Sequence, residues 1–513
     1  MEPQRKVVLI VADGLGEAPK GPGNFASQAK TPFLNKIKRT YAHCSNKASG
    51  SAVGLPKGAQ GNSEVGHLHM GAGRIVWQLY ERINKAIEDK SFFKNDKLLA
   101  AMRHAKDSKS TLHLMGLCSD EGVHAHIDHL KALMLMAKDE GVEKVRIHFI
   151  ADGRDVAERS AQKYIKEIED AGGEIATVVG RYYAMDRDKN WERTKKAFNM
   201  LTGSIGAKAS SAKQAVEIGY KNGAKTDYYL PPTVIYNQNG SPKGQLADND
   251  AMIFFNFRTD RPRQLTHALL DEDFDKFERP VWPDVNIVTM TAYDNGMESM
   301  AAFQEEVINN NLGQVLATLN LKQLRIAETE KYAHVTYFFN SQREEPNEGE
   351  DRIMVPSLKV PSYDEAPKMS AAKIVVEAIT KIEEQKYDFI LINFANCDLV
   401  GHTTQKEAII KAVETVDKTV AEVTKTALAN DYVVVYTSDH GNAEDKLYDD
   451  GTPKPSHSTN PVGFYIISND ELLAKNKIKL KNGGQQDVAP TILDIMGLSR
   501  PPEMTGDSLI TYN

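Results

Sequence analysis

Short aliphatic runs alternate with longer helical patterns along most of this 513-residue chain. Each run is followed by polar or glycine residues and then by a segment with helical periodicity. Strands that alternate with helices in this way indicate an α/β fold with largely parallel sheets. The predicted strands are Val7–Ala12, Thr111–Gly116, Lys144–Ile150, Glu174–Val179, Ala251–Asn256, Asp388–Asn393 and Tyr432–Tyr436, and clear helical patterns cover Ser160–Ala171 and Ala371–Gln385.

The composition excludes several broad classes of function. A formal net charge of -7 argues against nucleic acid or an anionic membrane as the main partner. No stretch approaches the roughly 18 apolar residues of a membrane span, and the first apolar run is too short for a signal peptide. The three cysteines, Cys44, Cys118 and Cys397, show no paired spacing, as expected for free thiols in a reducing compartment. We therefore expect a cytoplasmic monomer with a small-molecule substrate.

Carboxylates and imidazoles follow three of the predicted strands. In a parallel sheet the carboxyl ends of the strands gather functional groups at one edge. Mixed oxygen and nitrogen ligands suit Mn²⁺, Zn²⁺ or Co²⁺, with Mg²⁺ at oxygen-rich positions, and six ligands are enough for two neighbouring ions. Taken singly, an Asp-Gly pair is usually a turn, and an Asp and a His four residues apart are usually a surface pair. The candidate ligands are Asp13, Asp398, His402, Asp439, His440 and His457.

The strands between these three lead to a different set of side chains. They are followed mainly by arginine, histidine and aspartate: His124, Arg154, Asp155, Arg181, Arg187, Arg258 and Arg261. If the acidic residues share one site, the intervening chain is a domain inserted into the first. The predicted domains are a discontinuous metal-binding domain, 1–77 with 311–513, and an inserted α/β substrate-binding domain, 78–310.

Ser63 is the candidate nucleophile. It lies in a glycine-rich segment, Gly58–His67, where backbone and substrate can approach closely. A serine hydroxyl needs a base or a metal to become nucleophilic, and a helix starting here would favour an alkoxide or a phosphate. The competing interpretation is that Ser63 merely caps the helix, which is the usual role of Ser before Glu, and spacing alone favours that role.

Several motifs resemble those of the 2,3-bisphosphoglycerate-independent phosphoglycerate mutases, in the order in which they occur in that family. They are Asp-Gly-Leu-Gly at 13–16, Gly-Asn-Ser-Glu-Val-Gly-His at 61–67, Asp-Leu-Val-Gly-His at 398–402, Ser-Asp-His-Gly-Asn-Ala-Glu at 438–444, His-Ser-Thr-Asn-Pro-Val at 457–462 and Asp-Val-Ala-Pro-Thr-Ile-Leu-Asp at 487–494. The resemblance runs nearly end to end. It implies an alkaline-phosphatase-like metal domain with an inserted substrate-binding domain.

The resemblance also implies a role for each residue. Ser63 would carry the phosphoryl group and share one metal with Asp13, Asp439 and His440, while Asp398, His402 and His457 would hold the second metal. The expected ions are two divalent metals, most simply Mn²⁺, with Mg²⁺, Co²⁺ or Zn²⁺ as alternatives and no 2,3-bisphosphoglycerate requirement. Substrate would be bound by His124, Arg154, Asp155, Arg181, Arg187, Arg258, Arg261 and Lys331. Lys331 is identified as a site residue only through the resemblance to this family.

The implied reaction is the interconversion of 3-phosphoglycerate and 2-phosphoglycerate in glycolysis and gluconeogenesis. Ser63 would take the phosphoryl group and return it to the other hydroxyl of glycerate, with Lys331 neutralising charge and Asp155 as a candidate base. A related metal-dependent phosphatase or phosphopentomutase is the nearest alternative, and a catalytically inactive scaffold is a more distant one. Residues 340–351 are predicted to form an exposed polar loop.

Overall fold

Two compact units make up the chain in the computed structural model, which describes residues 3–297, 300–304 and 306–513. The first unit runs to Gln78 and resumes at Val307, and the second unit runs from Leu79 to Glu306. Within the described residues no helix has both the length and the apolar character that a membrane crossing requires.

Strands and helices alternate throughout, as the sequence pattern predicts. The chain begins in the first unit with β1 Lys6–Ala12, α1 Pro32–Thr40, β2 Ala42–Lys47 and α2 Ser63–Ala72. The second unit contains α3 Leu79–Glu88, α4 Asp96–Asp107, β3 Leu112–Leu117, α5 Ile127–Asp139, β4 Val145–Ala151, α6 Ala161–Asp170, β5 Ile175–Gly180, α7 Arg181–Ala184, α8 Trp191–Gly203, β6 Ala207–Ala209, α9 Ala212–Lys221, β7 Thr233–Ile235, β8 Ala251–Phe254, α10 Arg263–Leu270 and β9 Asn286–Thr289.

The chain then returns to the first unit. This part contains α11 Leu312–Thr318, β10 Gln323–Glu328, α12 Thr329–Ala333, a π-helix His334–Phe338, β11 Glu350–Val355, α13 Ala371–Glu383, β12 Phe389–Phe394, α14 Asn396–Gly401, α15 Lys406–Ala429, β13 Tyr432–Thr437, β14 Val462–Ile467, β15 Ile478–Leu480, β16 Gly483–Gly484, α16 Val488–Met496 and β17 Ile510–Tyr512.

An eight-stranded sheet organises the first unit, in the order β11-β10-β12-β1-β13-β14-β2-β16. From β11 to β13 neighbouring strands are parallel, whereas β14 runs antiparallel to both β13 and β2. Strand β1 is buried on both faces: Val8 and Ile10 pack into one core, and Val7 and Leu9 pack into the core on the other side. Double burial is the physical reason why this strand is continuously apolar rather than alternating.

A seven-stranded sheet organises the second unit, in the order β6-β7-β5-β4-β3-β8-β9. All its neighbouring strands are parallel except β5 and β7. Its apolar core is separate from the cores of the first unit. The prediction of an α/β fold with largely parallel sheets is therefore confirmed in both units.

The expected exposed loop at 340–351 is wrong in part. Asn340, Asn347 and Glu350 are buried, and β11 already begins at Glu350. The Glu350 carboxylate accepts hydrogen bonds from the side-chain amides of both asparagines and from Arg352 Nε. A polar segment can be buried when its polar groups satisfy one another, and composition alone does not reveal this.

Candidate active site

Three parallel strands bring the predicted carboxylates of the first unit together. β1 lies between β12 and β13, so Asp13, Asp398 and Asp439 follow their carboxyl ends at one edge of the sheet. All three side chains are buried. The backbone at Gly14 has a φ of +77°, and a Cβ there would lie 2.6 Å from the Asp398 Cα. Glycine is therefore required for the two strand ends to approach this closely.

Ser63 is the first residue of α2, but it does not cap the helix. The cap is Asn62, whose side chain accepts a hydrogen bond from the backbone N–H of Val65. This arrangement leaves Ser63 Oγ free to contact Lys331 Nζ at 2.6 Å, His440 Nε2 at 2.9 Å and Asp13 at 3.2 Å. The capping interpretation of Ser63 is thus wrong, because the preceding residue, Asn62, is the N-cap of the helix.

Two histidines converge on Asp398 with their lone pairs inward. His402 Nδ1 lies 2.8 Å from the backbone oxygen of Pro455, and His457 Nδ1 lies 2.7 Å from that of Gly61. Since a carbonyl can only accept, both Nδ1 atoms carry the proton in the neutral rings and both Nε2 atoms present lone pairs. These Nε2 atoms are 3.0 Å apart, and each is 3.2 Å from Asp398 Oδ1. Three lone pairs at this range need a cation between them, either a proton on His457, where burial lowers the pKa but Asp398 raises it above the ordinary value, or a metal ion.

A second group of possible metal ligands lies beside the group around Asp398. His440 Nδ1 faces the backbone oxygen of Gly441, so its Nε2 is directed toward Ser63, Asp13 and Asp439. Asp439 Oδ2 is buried without a hydrogen-bond partner among the described residues, 3.5 Å from His440 Nε2. Two sets of possible metal-ligand atoms each lie within 4.8 Å of one another. One set comes from Asp13, Asp439 and His440, and the other comes from Asp398, His440 and His457, so His440 belongs to both. Both groups therefore fit a divalent metal ion.

Charge in this pocket is unbalanced. Lys331 Nζ lies 2.6 Å from Asp13 Oδ1 and 2.6 Å from Asp398 Oδ2, so one ammonium faces three buried carboxylates. Burial opposes its charge, yet these carboxylates raise the pKa of Lys331 above its ordinary value. Burial and the neighbouring charge of Asp439 raise the pKa of Asp13. Two negative charges remain in excess, which a pair of divalent ions would more than neutralise.

Arg181 is the centre of the site in the second unit. It is buried after β5, and its Nη1 donates to Asp152 and to Asp155, at 2.6 Å each. Its Nη2 lies 3.0 Å from His124 Nε2. An arginine can only donate, so the neutral His124 carries its proton on Nδ1. Burial and the charge of Arg181 lower the pKa of His124 to about 4.

Asp260 forms ion pairs with two further predicted arginines. Its carboxylate lies 2.6 Å from Arg187 Nη1 and 3.2 Å from Arg258 Nε, and it is 3.9 Å from His124 Nδ1. Arg261 is buried and donates to the backbone oxygen of Met185. Burial and the charges of Arg181 and Arg187 lower the pKa of the Arg261 guanidinium, and the exposed Arg154 adds a smaller effect in the same direction. The predicted basic residues thus form one cluster at the carboxyl end of this sheet.

Several polar residues at these sites were given no role from the sequence. Asn393 donates to Asp13 Oδ2 and lies 3.1 Å from His67 Nε2, and Asn442 donates to Asp398 Oδ1. Asp152 and Asp260 hold the arginines of the second unit. Two signals were present: Asn393 and Asp152 fall at the ends of predicted strands, and Asp260 lies between two arginines.

We expect acid to destabilise the fold around α2. His69 is fully buried, with Nδ1 2.5 Å from the backbone oxygen of Val65 and Nε2 accepting from the N–H of Val76, and burial lowers its pKa to about 4. A histidine in the unfolded chain binds a proton below about pH 6.5, whereas the folded His69 binds one only below about pH 4. The free energy of unfolding therefore falls as the pH drops from about 6.5 toward 4, by at most about 3 kcal/mol for this residue. Urea unfolding across this range, with a chelator present, measures the loss. His69→Gln should remove this residue's share and make the dependence shallower, and an unchanged slope would contradict the assignment.

Comparison with known proteins identifies the family. A family model described as the N-terminus of BPG-independent PGAM matches residues 83–295, and a sulfatase model matches residues 289–498. A 2,3-bisphosphoglycerate-independent phosphoglycerate mutase of Clostridium botulinum is 48% identical over 515 residues, covering 99% of both chains. The chain belongs to this family of phosphoglycerate mutases. A relative in Moorella thermoacetica bears the same name and is also 48% identical, covering 99% of this chain and 98% of its own.

A solved structure supports the architecture of this phosphoglycerate mutase family member. Phosphoglycerate mutase of Leishmania mexicana, determined at low cobalt concentration, is similar over 100% of both chains with a TM-score of 0.60 and 30% sequence identity. The match to the sulfatase model over residues 289–498 agrees with the expected alkaline-phosphatase-like domain. The fold class implied by the sequence motifs is therefore confirmed.

Proposed function

We propose that this chain interconverts 3-phosphoglycerate and 2-phosphoglycerate, without 2,3-bisphosphoglycerate, through a phosphoserine at Ser63. The observation that carries the proposal is the position of Ser63 Oγ, buried between Lys331 Nζ, His440 Nε2 and Asp13 in a pocket with excess negative charge. A hydroxyl in this setting is placed to become a nucleophile. The family of the chain and the names of its relatives support the same activity.

We further propose that two divalent ions, preferably Mn²⁺, occupy the donor groups of the first unit. Asp13, Ser63, Asp439 and His440 would hold one ion, and Asp398, His402 and His457 would hold the other. When bound, such ions supply positive charge that lowers the pKa of the serine hydroxyl and neutralises the oxygens of a phosphoryl group.

Phosphoryl transfer then uses Ser63 twice. In the first transfer Ser63 Oγ attacks as its alkoxide and bonds to phosphorus while the bond from phosphorus to the 3-oxygen of glycerate breaks, and that oxygen takes a proton from the proposed acid–base group, Asp155. In the second transfer the 2-hydroxyl loses its proton and bonds to the phosphorus, and Ser63 leaves as an alkoxide. Lys331 Nζ, 2.6 Å from Ser63 Oγ, stabilises negative charge on this oxygen in both directions.

The arginine cluster of the second unit would recognise the anionic substrate. Phosphoglycerate carries a carboxylate and a phosphate, and a guanidinium binds either one through two parallel hydrogen bonds. His124, Arg154, Arg181, Arg187, Arg258 and Arg261 are the proposed binding residues. Asp155 pairs with Arg181 through one carboxylate oxygen, and its other oxygen is the proposed proton acceptor for a glycerate hydroxyl.

The proposed setting is the cytosol, in glycolysis and gluconeogenesis. The three cysteines are buried free thiols, which suits a reducing compartment. We propose that the enzyme acts as a monomer on its small-molecule substrate, without a nucleic acid or membrane partner; the net charge of -7 supports the exclusion of polyanions.

A coupled assay tests this function. Purified enzyme with Mn²⁺ should convert 3-phosphoglycerate to 2-phosphoglycerate, detected through enolase, at a rate that added 2,3-bisphosphoglycerate leaves unchanged. Chelation should abolish turnover, and titration with Mn²⁺, Co²⁺, Zn²⁺ and Mg²⁺ should restore it to different extents. Release of inorganic phosphate as the main product would instead assign the chain to the phosphatases.

A further inference from the structure

Lys446 is a buried ammonium that the proposed mechanism does not use. Its side chain is fully buried in the loop that follows β13. Burial lowers its pKa to about 8, so at neutral pH the side chain is mainly a cation with three N–H donors. Three oxygens accept from it: the backbone oxygen of Gly401 at 3.1 Å, the backbone oxygen of Ser456 at 3.2 Å, and the side-chain oxygen of Asn442.

These three acceptors lie on separate segments, and each segment carries part of one donor group. Gly401 precedes His402, and Ser456 precedes His457. Asn442 uses its amide nitrogen to donate to Asp398 Oδ1 at 2.8 Å and to the Asp398 backbone oxygen at 3.2 Å. Because Lys446 occupies the amide oxygen, the nitrogen of Asn442 must face Asp398. One ammonium thereby links the positions of Asp398, His402 and His457.

We propose that Lys446 is a positioning residue that holds Asp398, His402 and His457 in the geometry required to bind one of the two divalent ions. This inference rests on the proposed function, since it concerns the same metal-binding residues. Groups that orient metal ligands typically contribute ten- to hundredfold to metal affinity.

Electrostatics alone would have the opposite effect. A positive charge near a cation site disfavours the cation, so removing the Lys446 ammonium should tighten metal binding if charge were its only influence. A positioning role requires binding to weaken when the ammonium is removed. The direction of the change in metal affinity therefore separates the two roles.

The experiment is a calorimetric Mn²⁺ titration of the metal-free full-length protein and of Lys446→Met, which keeps an unbranched side chain one atom shorter and removes the ammonium. Lys454→Met is the matched control, because Lys454 lies in the same loop and its Nζ contacts the partly exposed Asp445, at 2.5 Å, and the ring of Tyr448 rather than the segments of the metal ligands. We expect the wild type and the control to bind two ions alike. Lys446→Met should lose about tenfold or more in affinity for one ion and keep the affinity for the other.

The activity of the same variants provides a second readout. For Lys446→Met the Mn²⁺ concentration at half-maximal rate should rise by about tenfold or more, and saturating Mn²⁺ should restore most of kcat. If Lys446→Met fails to fold, Asn442→Leu removes the same link to Asp398 and should show the same selective loss. Unchanged or tighter binding in the folded variant would overturn the inference while leaving the proposed function intact. A wild type that binds no Mn²⁺ would overturn both.

Discussion

Replacing Ser63 with alanine should abolish phosphoglycerate mutase activity. We expect kcat to fall by roughly a thousandfold or more, because among the residues that the structure describes no other hydroxyl contacts both Lys331 and His440. The fold should survive, since Asn62 rather than Ser63 caps α2. The coupled enolase assay measures the loss of rate, and intact-protein mass spectrometry after mixing with phosphoglycerate should show the added phosphoryl group on the wild type only.

Ser51→Ala is the matched control for this substitution. Ser51 is exposed in the short helical turn Gly50–Val53, before the glycine-rich segment, and its replacement should leave both readouts unchanged. An alanine variant at position 63 that retains a near-normal rate would exclude Ser63 as the phosphoryl carrier. Loss of rate with the phosphoenzyme still formed would place the modification on another residue.

Seven strands could be predicted because each is a short, mainly apolar run, whereas strands with more polar residues, such as β2 and β11, were not among the predicted ones. For β1 the predicted and observed strands differ by a single residue at the start, and they end together at Ala12. The candidate ligands could be found for the same reason, since Asp13 follows β1 directly and Asp439 lies two residues beyond β13. Lys331 could not be found from pattern alone. It lies in a helix of five residues, Thr329–Ala333, and only the folded chain brings it to Asp13.

What could not be predicted was the set of residues that act through a partner. Asp260 lies between two arginines and Asn442 lies within one of the family motifs, but neither position tells which atoms the side chain faces after folding. Asp260 faces Arg187 and Arg258, and the Asn442 amide is oriented by Lys446. The same limit explains the wrong prediction for the Asn340 segment, where the burial of Glu350 depends on its hydrogen bonds with both asparagines.

Replacing Lys331 with methionine should change catalysis and metal binding in opposite directions. The ammonium contacts Ser63 Oγ and two carboxylates at 2.6 Å each, so it stabilises the serine oxygen but also competes with cations for Asp13 and Asp398. Without it, no ammonium of the described residues contacts the three buried carboxylates directly, and Mn²⁺ affinity should rise. At saturating Mn²⁺, kcat should nevertheless fall by about a hundredfold or more, since a fixed charge on the reacting oxygen is lost.

Calorimetric Mn²⁺ titration and the coupled assay measure the two effects on the same protein samples. Lys359→Met, an exposed lysine in the same unit, is the control and should change neither quantity. Because the carboxylates raise the pKa of Lys331, the wild-type residue stays charged across the neutral range, so its effect on Mn²⁺ affinity should not titrate there. A variant with weakened Mn²⁺ binding and a normal rate would mean that Lys331 supports the metal ligands rather than the phosphoryl transfer. A variant with tighter Mn²⁺ binding and a depressed rate is the result that the charge balance of this pocket requires.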